Sequence, residues 1–396
     1  MSPHPHAGEV SKADQCDVVV VGAGITGAAT AHALAVAGTD VLLIDAHDPA
    51  TRASGSNAGS LHAQIQHEPF CTLGDEWAKA FLPALGLLDE SLRVWRQLSQ
   101  ELGVDLHVYT AGGLLVASDP EQMRQIARKA DLERSIGIEV DVLDASELRI
   151  VAPYVSDKMI GAGLWHNEGK ADALSATNAY VTSAQRHGAR VSFGPKVLAV
   201  TPGKSPDSLD VLTDRGSIRS RRVVVATGAD SAPLVEALGK SLPISSDPMQ
   251  VSVTQPVEPL IAHLVYFAGA RLTIKQSSFG HLLIGGGWPA KRVNDSYATV
   301  DPSSLVSNLA LACEVVPAVS SSYILRTWAA FNNGVVDQMP IIGELIPGVI
   351  FGTFPYLGFT AGPMMGRILA ALALGIDPGI DISPYSPDRF APLGVM

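Results

Sequence analysis

The segment Gly22-Ala23-Gly24-Ile25-Thr26-Gly27 constrains this chain more than any other. It follows residues 17–21, a DVVVV run whose β-branched side chains predict a buried strand. It precedes residues 28–37, an Ala-rich stretch of helical character that stops at Gly38. Residues 41–44 then read as a second strand. A strand, tight turn, helix and strand within about 30 residues make a β-α-β unit. Gly22 permits the turn, Gly24 lets a diphosphate approach the backbone, and Gly27 lets helix and strand pack closely. The start of the helix faces that diphosphate with partial positive charge. Asp45, ending the second strand, is placed to accept hydrogen bonds from a ribose. The pattern predicts a dinucleotide site.

At 396 residues the chain is longer than one hydrophobic core usually serves, so two domains are expected. Nucleotide-domain elements recur in the middle: a helix over 174–187, strands over 191–200 and 210–213, and a short buried strand over 222–226. They recur again at the end, with a strand over 349–354 and a helix over 363–374 that has Pro363 in its first turn. Other material lies between. An amphipathic helix is predicted over 85–102, a strand over 112–116, a helix over 121–136 and another over 308–315. Short strands over 250–254, 271–274 and 281–284 alternate with turn residues. Residues 49–67 show neither period and read as loop and helix starts. The two domains are therefore interleaved in sequence, a layout that suits a long cofactor such as FAD better than NAD.

A net charge of −11 argues against nucleic-acid binding, which needs clustered Lys and Arg. Cys16, Cys71 and Cys313 are far apart, so neither a CxxC metal or redox motif nor a disulfide framework is expected. The chain offers no local ligand set for an iron–sulfur cluster or other metal, and a reducing cytoplasm fits. Residues 1–15 are polar, lack the apolar stretch of a signal peptide and read as a disordered lead. No run approaches the ~18 apolar residues of a membrane span.

Further motifs join the opening one: Ser54-Gly55-Ser56-Asn57-Ala58-Gly59, Val224-Val225-Ala226-Thr227-Gly228-Ala229, Leu282-Leu283-Ile284-Gly285-Gly286, Met339-Pro340-Ile341-Ile342-Gly343 and Gly358-Phe359-Thr360-Ala361-Gly362-Pro363. Together they make nearly the whole chain resemble the D-amino acid oxidase-like (DAO) family of FAD-dependent oxidoreductases, which includes glycine and sarcosine oxidases. The resemblance implies an α/β fold. An FAD-binding, Rossmann-like domain of the glutathione-reductase type (16–85, 150–240 and 335–390) is interleaved with an α+β substrate domain (86–149 and 241–334) carrying a mixed, largely antiparallel sheet. It implies non-covalent FAD, since no Cys stands in a flavin-linkage motif. The implied contacts are Gly22, Gly24, Ile25, Thr26, Gly27, Asp45, Ala46, Ser54, Asn57, Ala58, Gly59, Leu61, Val197, Thr227, Gly228, Gly358, Phe359 and Thr360. Residues 358–363 end a loop at a helix start, and such a start beside the flavin would stabilise negative charge on the reduced ring.

The chain departs from its relatives where they clamp a substrate carboxylate. Two family Arg positions hold Asn332 and Tyr356 here, so a bidentate fork is missing. Arg271, Lys275 and Arg326 are replacement candidates, each with a structural alternative, as have His62 and His281. Tyr356, Asn332, Lys275 and His62 are the candidate pocket and catalytic residues. Where sarcosine oxidases carry an oxygen-activating Lys, Leu283 or Ile284 stands, which favours a dehydrogenase. Residues 275–290 most resemble the β subunits of opine and hydroxyproline dehydrogenases, whose partner subunits carry iron–sulfur clusters or further flavin such as FMN. The expected activity is oxidation of the C–N bond of a small amine or amino acid by hydride transfer to flavin N5. A peroxide-forming oxidase and a non-catalytic flavin-bearing subunit are the alternatives.

Overall fold

The computed structural model describes residues 15–205 and 207–390. The expected polar lead lies outside the described residues except for Gln15, which already belongs to the first strand. Internal packing divides the described residues into two compact units: 15–55, 174–247 and 332–390 in the first, 56–173 and 248–331 in the second.

The first unit is built on β1 (Gln15–Val21), α1 (Ile25–Val36) and β2 (Val41–Asp45). Its sheet runs, in order, Ile341–Ile346, Val349–Thr353, Gly216–Val225, β1, β2 and Arg190–Phe193. From Val349–Thr353 to Arg190–Phe193 all neighbours are parallel. Parallel strands are covered on both faces, which is why Val18–Val21, 41–44 and 223–225 are apolar without alternation and buried throughout. The strand expected over 222–226 is the end of a longer one. Its first half pairs antiparallel with Leu209–Thr213, and its second half runs parallel to β1. The strand expected over 191–200 is two strands, Arg190–Phe193 and Val197–Pro202, broken at Gly194 with φ +107°. The last helix starts at Gly358, so Pro363 lies inside it and not in its first turn. Leu357 accepts the first helical bond, from Ala361.

The second unit carries another eight-stranded sheet, in the order Ile324–Val335, Ile244–Pro256, His281–Gly285, Thr273–Gln276, Leu264–Phe267, Gly113–Ala117, Gly161–Trp165 and Val140–Asp144. From Ile244–Pro256 to Val140–Asp144 its neighbours are antiparallel except Leu264–Phe267 and Gly113–Ala117, which are parallel. The helix expected over 85–102 runs from His67 to Leu102, with Pro83 inside it and a break at Gly74 (φ 80°, ψ −175°). It packs on the helix Pro120–Arg134, and Gly161–Trp165 is the strand next to the sheet's edge. Residues 56–85 and 150–173, assigned from the sequence to the nucleotide domain, thus group with the second unit because their packing partners lie there. Among the described residues no helix is long and apolar enough to cross a membrane.

Candidate active site

In the first unit the glycine turn is as tight as the sequence requires. A Cβ on Gly27 would stand 1.9 Å from the Gly22 carbonyl oxygen, and one on Gly22 (φ +105°) 2.5 Å from that of Ala226. The Ala23 amide donates to Asp45 Oδ2 at 2.6 Å and the His47 amide to Oδ1 at 2.8 Å. Each carboxylate oxygen has two lone pairs, so Asp45 can still accept from a sugar. Ser54 Oγ takes the Ile25 amide at 2.9 Å and so ties its segment to the start of α1.

The helix Gly358–Leu374 packs against α1 through two glycines. A Cβ on Gly362 would lie 2.6 Å from the Ile25 side chain, and one on Gly366 2.4 Å from Ala29 Cβ. Stepping four residues along one helix matches four along the other in the same direction. The helices are therefore parallel, with their N-termini side by side. Each N-terminus carries roughly half a positive charge. Neither first turn contains an acidic residue. Two like poles repel, and an electron-rich group at these ends relieves that repulsion. Gly22, Gly24, Ile25, Thr26, Gly27, Asp45, Ser54 and Gly358 surround this feature, and they fit the diphosphate and ring of FAD. Ala46 follows Asp45, Val197 opens its strand, and Thr227 and Gly228 follow the end of Gly216–Val225. Phe359 and Thr360 are buried, so contact there would be through the backbone.

Tyr356 and Asn332 share a neighbourhood in this unit. The Tyr356 amide donates to the Asn333 carbonyl at 3.0 Å, and Asn332 Oδ1 accepts from the Asn333 amide at 3.0 Å. Tyr356 has φ +58°, a conformation that bulky residues rarely adopt. Its hydroxyl donates to Asp247 Oδ2 at 2.7 Å.

In the second unit, Asn57 Oδ1 takes the Gly59 amide at 2.7 Å, Ala58 lies within that turn, and Ser60–Leu61 pairs with Gly169–Lys170. Leu61 is fully buried. Residues 62–65 then meet a network of buried polar groups. Glu168 Oε1 accepts the Ala63 amide at 2.6 Å, and Oε2 accepts Gln64 Nε2 at 2.9 Å and the Tyr266 hydroxyl at 2.8 Å. Tyr266 also meets His62 Nδ1 at 2.6 Å. Lys129 Nζ donates to Gln64 Oε1 at 2.9 Å and to Glu133 Oε1 at 3.0 Å, 3.6 Å above the Trp165 ring. Glu133 in turn accepts the Ile65 amide and Trp165 Nε1. Lys275 Nζ, 1% exposed, donates to Ser60 Oγ at 2.6 Å.

Burial governs the protonation of these groups. It raises Glu168 to about 7 against three hydrogen bonds and the pull of Lys129. It lowers Lys275 to about 7, with help from Lys170. It lowers His62 to about 3, with help from Lys275.

The remaining candidates have structural partners. His281 Nδ1 meets the Thr254 carbonyl at 2.9 Å, Arg271 pairs with Glu68, and Arg326 lies 5.5 Å from the Trp328 ring. Ile284 is fully buried. Glu168, Tyr266, Gln64 and Lys129 were not candidates from the sequence, and no spacing or motif marks them. Cys16, Cys71 and Cys313 are free thiols, and among the described residues no three His, Cys, Asp or Glu form a metal cluster.

A doubly covered parallel sheet, a glycine turn closed by Asp45 and two helix N-termini set side by side define a flavin-type dinucleotide enzyme. The DAO model of FAD dependent oxidoreductases matches residues 17–372, and the chain belongs to that family. It is an FAD-dependent oxidoreductase, and the α/β fold with a flavin unit and a substrate unit is that of the family. One of the subunits of the opine oxidase of Rhizobium meliloti is 28% identical over 392 residues, covering 95% of this chain and 98% of that protein. Glycine oxidase of Pseudomonas aeruginosa is 28% identical over 381 residues, 93% and 98% of the two chains. The crystal structure of glycine oxidase from Geobacillus kaustophilus superposes with a TM-score of 0.83 at 23% identity, over 95% of this chain and 99% of that one.

Proposed function

We propose that this enzyme oxidises the C–N bond of a small primary or secondary amine or amino acid, of opine or imino-acid type, and passes the electrons to an acceptor or partner subunit. The observation that carries the reading is Lys275, a buried amine 2.6 Å from Ser60 Oγ that burial lowers to about 7. An amine arrives largely as an ammonium ion and must lose a proton before its carbon can be oxidised. A base held near neutrality, as Lys275 is, suits that step. Similarity along the whole chain to an opine oxidase subunit and a glycine oxidase supports the same substrate class.

FAD, held without a covalent link, supplies the two-electron acceptor for the hydride on the amine-bearing carbon. The residues do the rest. The first turns of α1 and Gly358–Leu374 hold negative charge, and Asp45 grips the ribose. Ser54, Asn57, Ala58, Gly59 and Leu61 bring a second segment to the cofactor, with Val197, Thr227, Gly228, Phe359 and Thr360 completing its surroundings. Lys275 is the acceptor of the ammonium proton, and His62, Tyr356 and Asn332 remain candidate pocket residues. The substrate, having lost a proton and a hydride, leaves as an iminium ion that water hydrolyses to a carbonyl compound and an ammonium. Orientation and exclusion of water are the protein's contribution.

The Rhizobium relative is one subunit of its oxidase, which supports a partner subunit here too. FMN or an iron–sulfur cluster in that partner would be the electron acceptor. The three free thiols suit a reducing cytoplasm. Anaerobic mixing of the FAD-loaded chain with opines and cyclic imino acids tests the reading. Loss of the flavin's visible absorbance is expected with at least one, and no bleaching by any of them rejects the substrate class. Similarity to a glycine oxidase favours a second reading, a self-sufficient oxidase. Peroxide release by the isolated chain at the rate of substrate turnover would establish that one.

A further inference from the structure

We infer that Asn333 is a positioning residue: it clamps the turn at Tyr356 and so fixes where the helix Gly358–Leu374 begins beside α1. The inference rests on the reading of these two helix starts as the FAD site, and it does not depend on the substrate.

The start of that helix lacks the usual marker. Leu357, just before Gly358, makes no side-chain capping bond, although its carbonyl accepts the first helical bond from Ala361 at 3.0 Å. The point at which the helix begins is therefore set by the chain that leads into it. That chain makes a three-residue turn, in which the Leu357 amide donates to the Pro355 carbonyl at 2.6 Å. Tyr356 stands at its centre with φ +58°. A turn of this size with positive φ at its centre is rare and strained, and a tyrosine tolerates that φ poorly. Left to itself, the turn would relax to negative φ and carry the helix start with it.

Asn333 opposes that relaxation through three bonds. Its carbonyl accepts the Tyr356 amide at 3.0 Å, while its Nδ2 donates to the Phe354 carbonyl at 3.0 Å and to Thr353 Oγ1 at 2.8 Å. The Phe354 carbonyl can only accept, which fixes the orientation of the Asn333 carboxamide. Asn333 is 7% exposed and Thr353 4%, so water is poorly placed to replace these bonds. The strand end at 353–354 and the strained residue at 356 are thus held by one side chain and its own backbone. The bond from the Tyr356 hydroxyl to Asp247 Oδ2 at 2.7 Å is of another kind. It orients the ring from the far end of the side chain and leaves the backbone to Asn333.

The strain gives the test its specificity. Glycine adopts positive φ at no steric cost, so Tyr356→Gly should need the clamp much less. In the native background Asn333→Ala is expected to weaken FAD binding roughly tenfold, and in the Tyr356→Gly background about twofold or less. The FAD that Asn333→Ala still binds should have a more negative reduction potential, because a displaced helix start supports less negative charge on the reduced ring. Asp247→Ala is the control, expected to leave FAD affinity unchanged. Fluorescence titration of the apoproteins with FAD, potentiometry of the loaded proteins and urea unfolding of the apoproteins supply the readouts. If Asn333→Ala does not fold, Thr353→Val, which removes one acceptor of the clamp, takes its place in the same cycle. An equal loss of FAD affinity in the two backgrounds, or a loss in Asp247→Ala as large as in Asn333→Ala, overturns the inference. Coupling between positions 333 and 356 in urea unfolding, with FAD affinity and potential unmoved by either change, leaves the clamp standing and rejects the FAD reading of the helix starts.

Discussion

Gly362 lies so close to Ile25 that a Cβ at 362 would stand 2.6 Å from the isoleucine side chain, and this contact aligns two helix N-termini. One turn further on, Gly366 meets Ala29, where the nearest atoms include backbone: 2.4 Å to Cβ and 2.7 Å to the carbonyl carbon. A side chain can turn aside, and a backbone must be pushed. Gly366→Ala is therefore expected to cost about 1–3 kcal/mol of stability, and Gly362→Ala less. Gly366→Ala should also weaken FAD binding by misplacing the helix ends. Urea unfolding and FAD titration of the two variants check both the order and the coupling.

Asp45 holds the Ala23 amide at 2.6 Å, so its removal affects the turn as well as any ribose contact. Asp45→Ala leaves that amide without its acceptor, a loss of about 1–3 kcal/mol. FAD affinity is expected to fall by roughly tenfold or more, since about 1.4 kcal/mol is a factor of ten. Asp45→Asn keeps an acceptor for Ala23 and should lose less. Fluorescence titration of the apoprotein with FAD measures the difference.

The readings that survived from sequence to structure are local ones. The glycine turn, its flanking strand and helix, and Asp45 lie within one β-α-β unit, and side-chain period and glycine placement are sufficient to read it. The start of the last helix was misplaced because Pro363 looks like a first-turn proline, while the true start at Gly358 has no capping side chain to announce it. The first half of Gly216–Val225 was missed because it faces solvent on alternate residues and pairs antiparallel, unlike the buried VVV that follows. The polar network was not legible at all. Tyr266 meets Glu168 and His62 across 98 and 204 positions, and no local pattern encodes such contacts.

Gly334 leaves room for the Tyr356 hydroxyl. A Cβ there would stand 2.4 Å from that oxygen, 2.3 Å from Ser245 Oγ and 2.9 Å from Asp247 Oδ2. All three atoms end flexible side chains, so Gly334→Ala should fold normally, within about 1 kcal/mol of the native stability. It should displace the Tyr356 hydroxyl from Asp247. If Tyr356 lines the substrate, KM for the reducing amine rises severalfold while FAD affinity is unchanged. An unchanged KM removes Tyr356 from the site. Steady-state kinetics with an artificial electron acceptor, beside FAD titration, separates the two.

Two buried groups give this fold an unusual dependence on pH. Lys275 is lowered by burial from its ordinary 10.5 to about 7, so between those values the unfolded chain holds a proton that the native protein does not. Stability then rises with pH across that window, and this contribution is lost as pH falls toward 7. Glu168 is raised by burial from 4.5 to about 7, so in that lower window the native protein holds the extra proton and stability falls as pH rises. The two contributions together are least favourable near neutrality. Each fully buried group approaches a slope of about 1.4 kcal/mol per pH unit within its window. Lys275→Met should abolish the rise above neutrality while leaving the fall below it, and Glu168→Gln should do the converse. Urea unfolding of the three proteins across the pH range, read as the difference between native and variant, separates these two groups from every other titrating residue. A Lys275→Met difference that stays flat above pH 7 would mean that the amine is charged in the native protein, and Lys275 would lose its place among the resting bases.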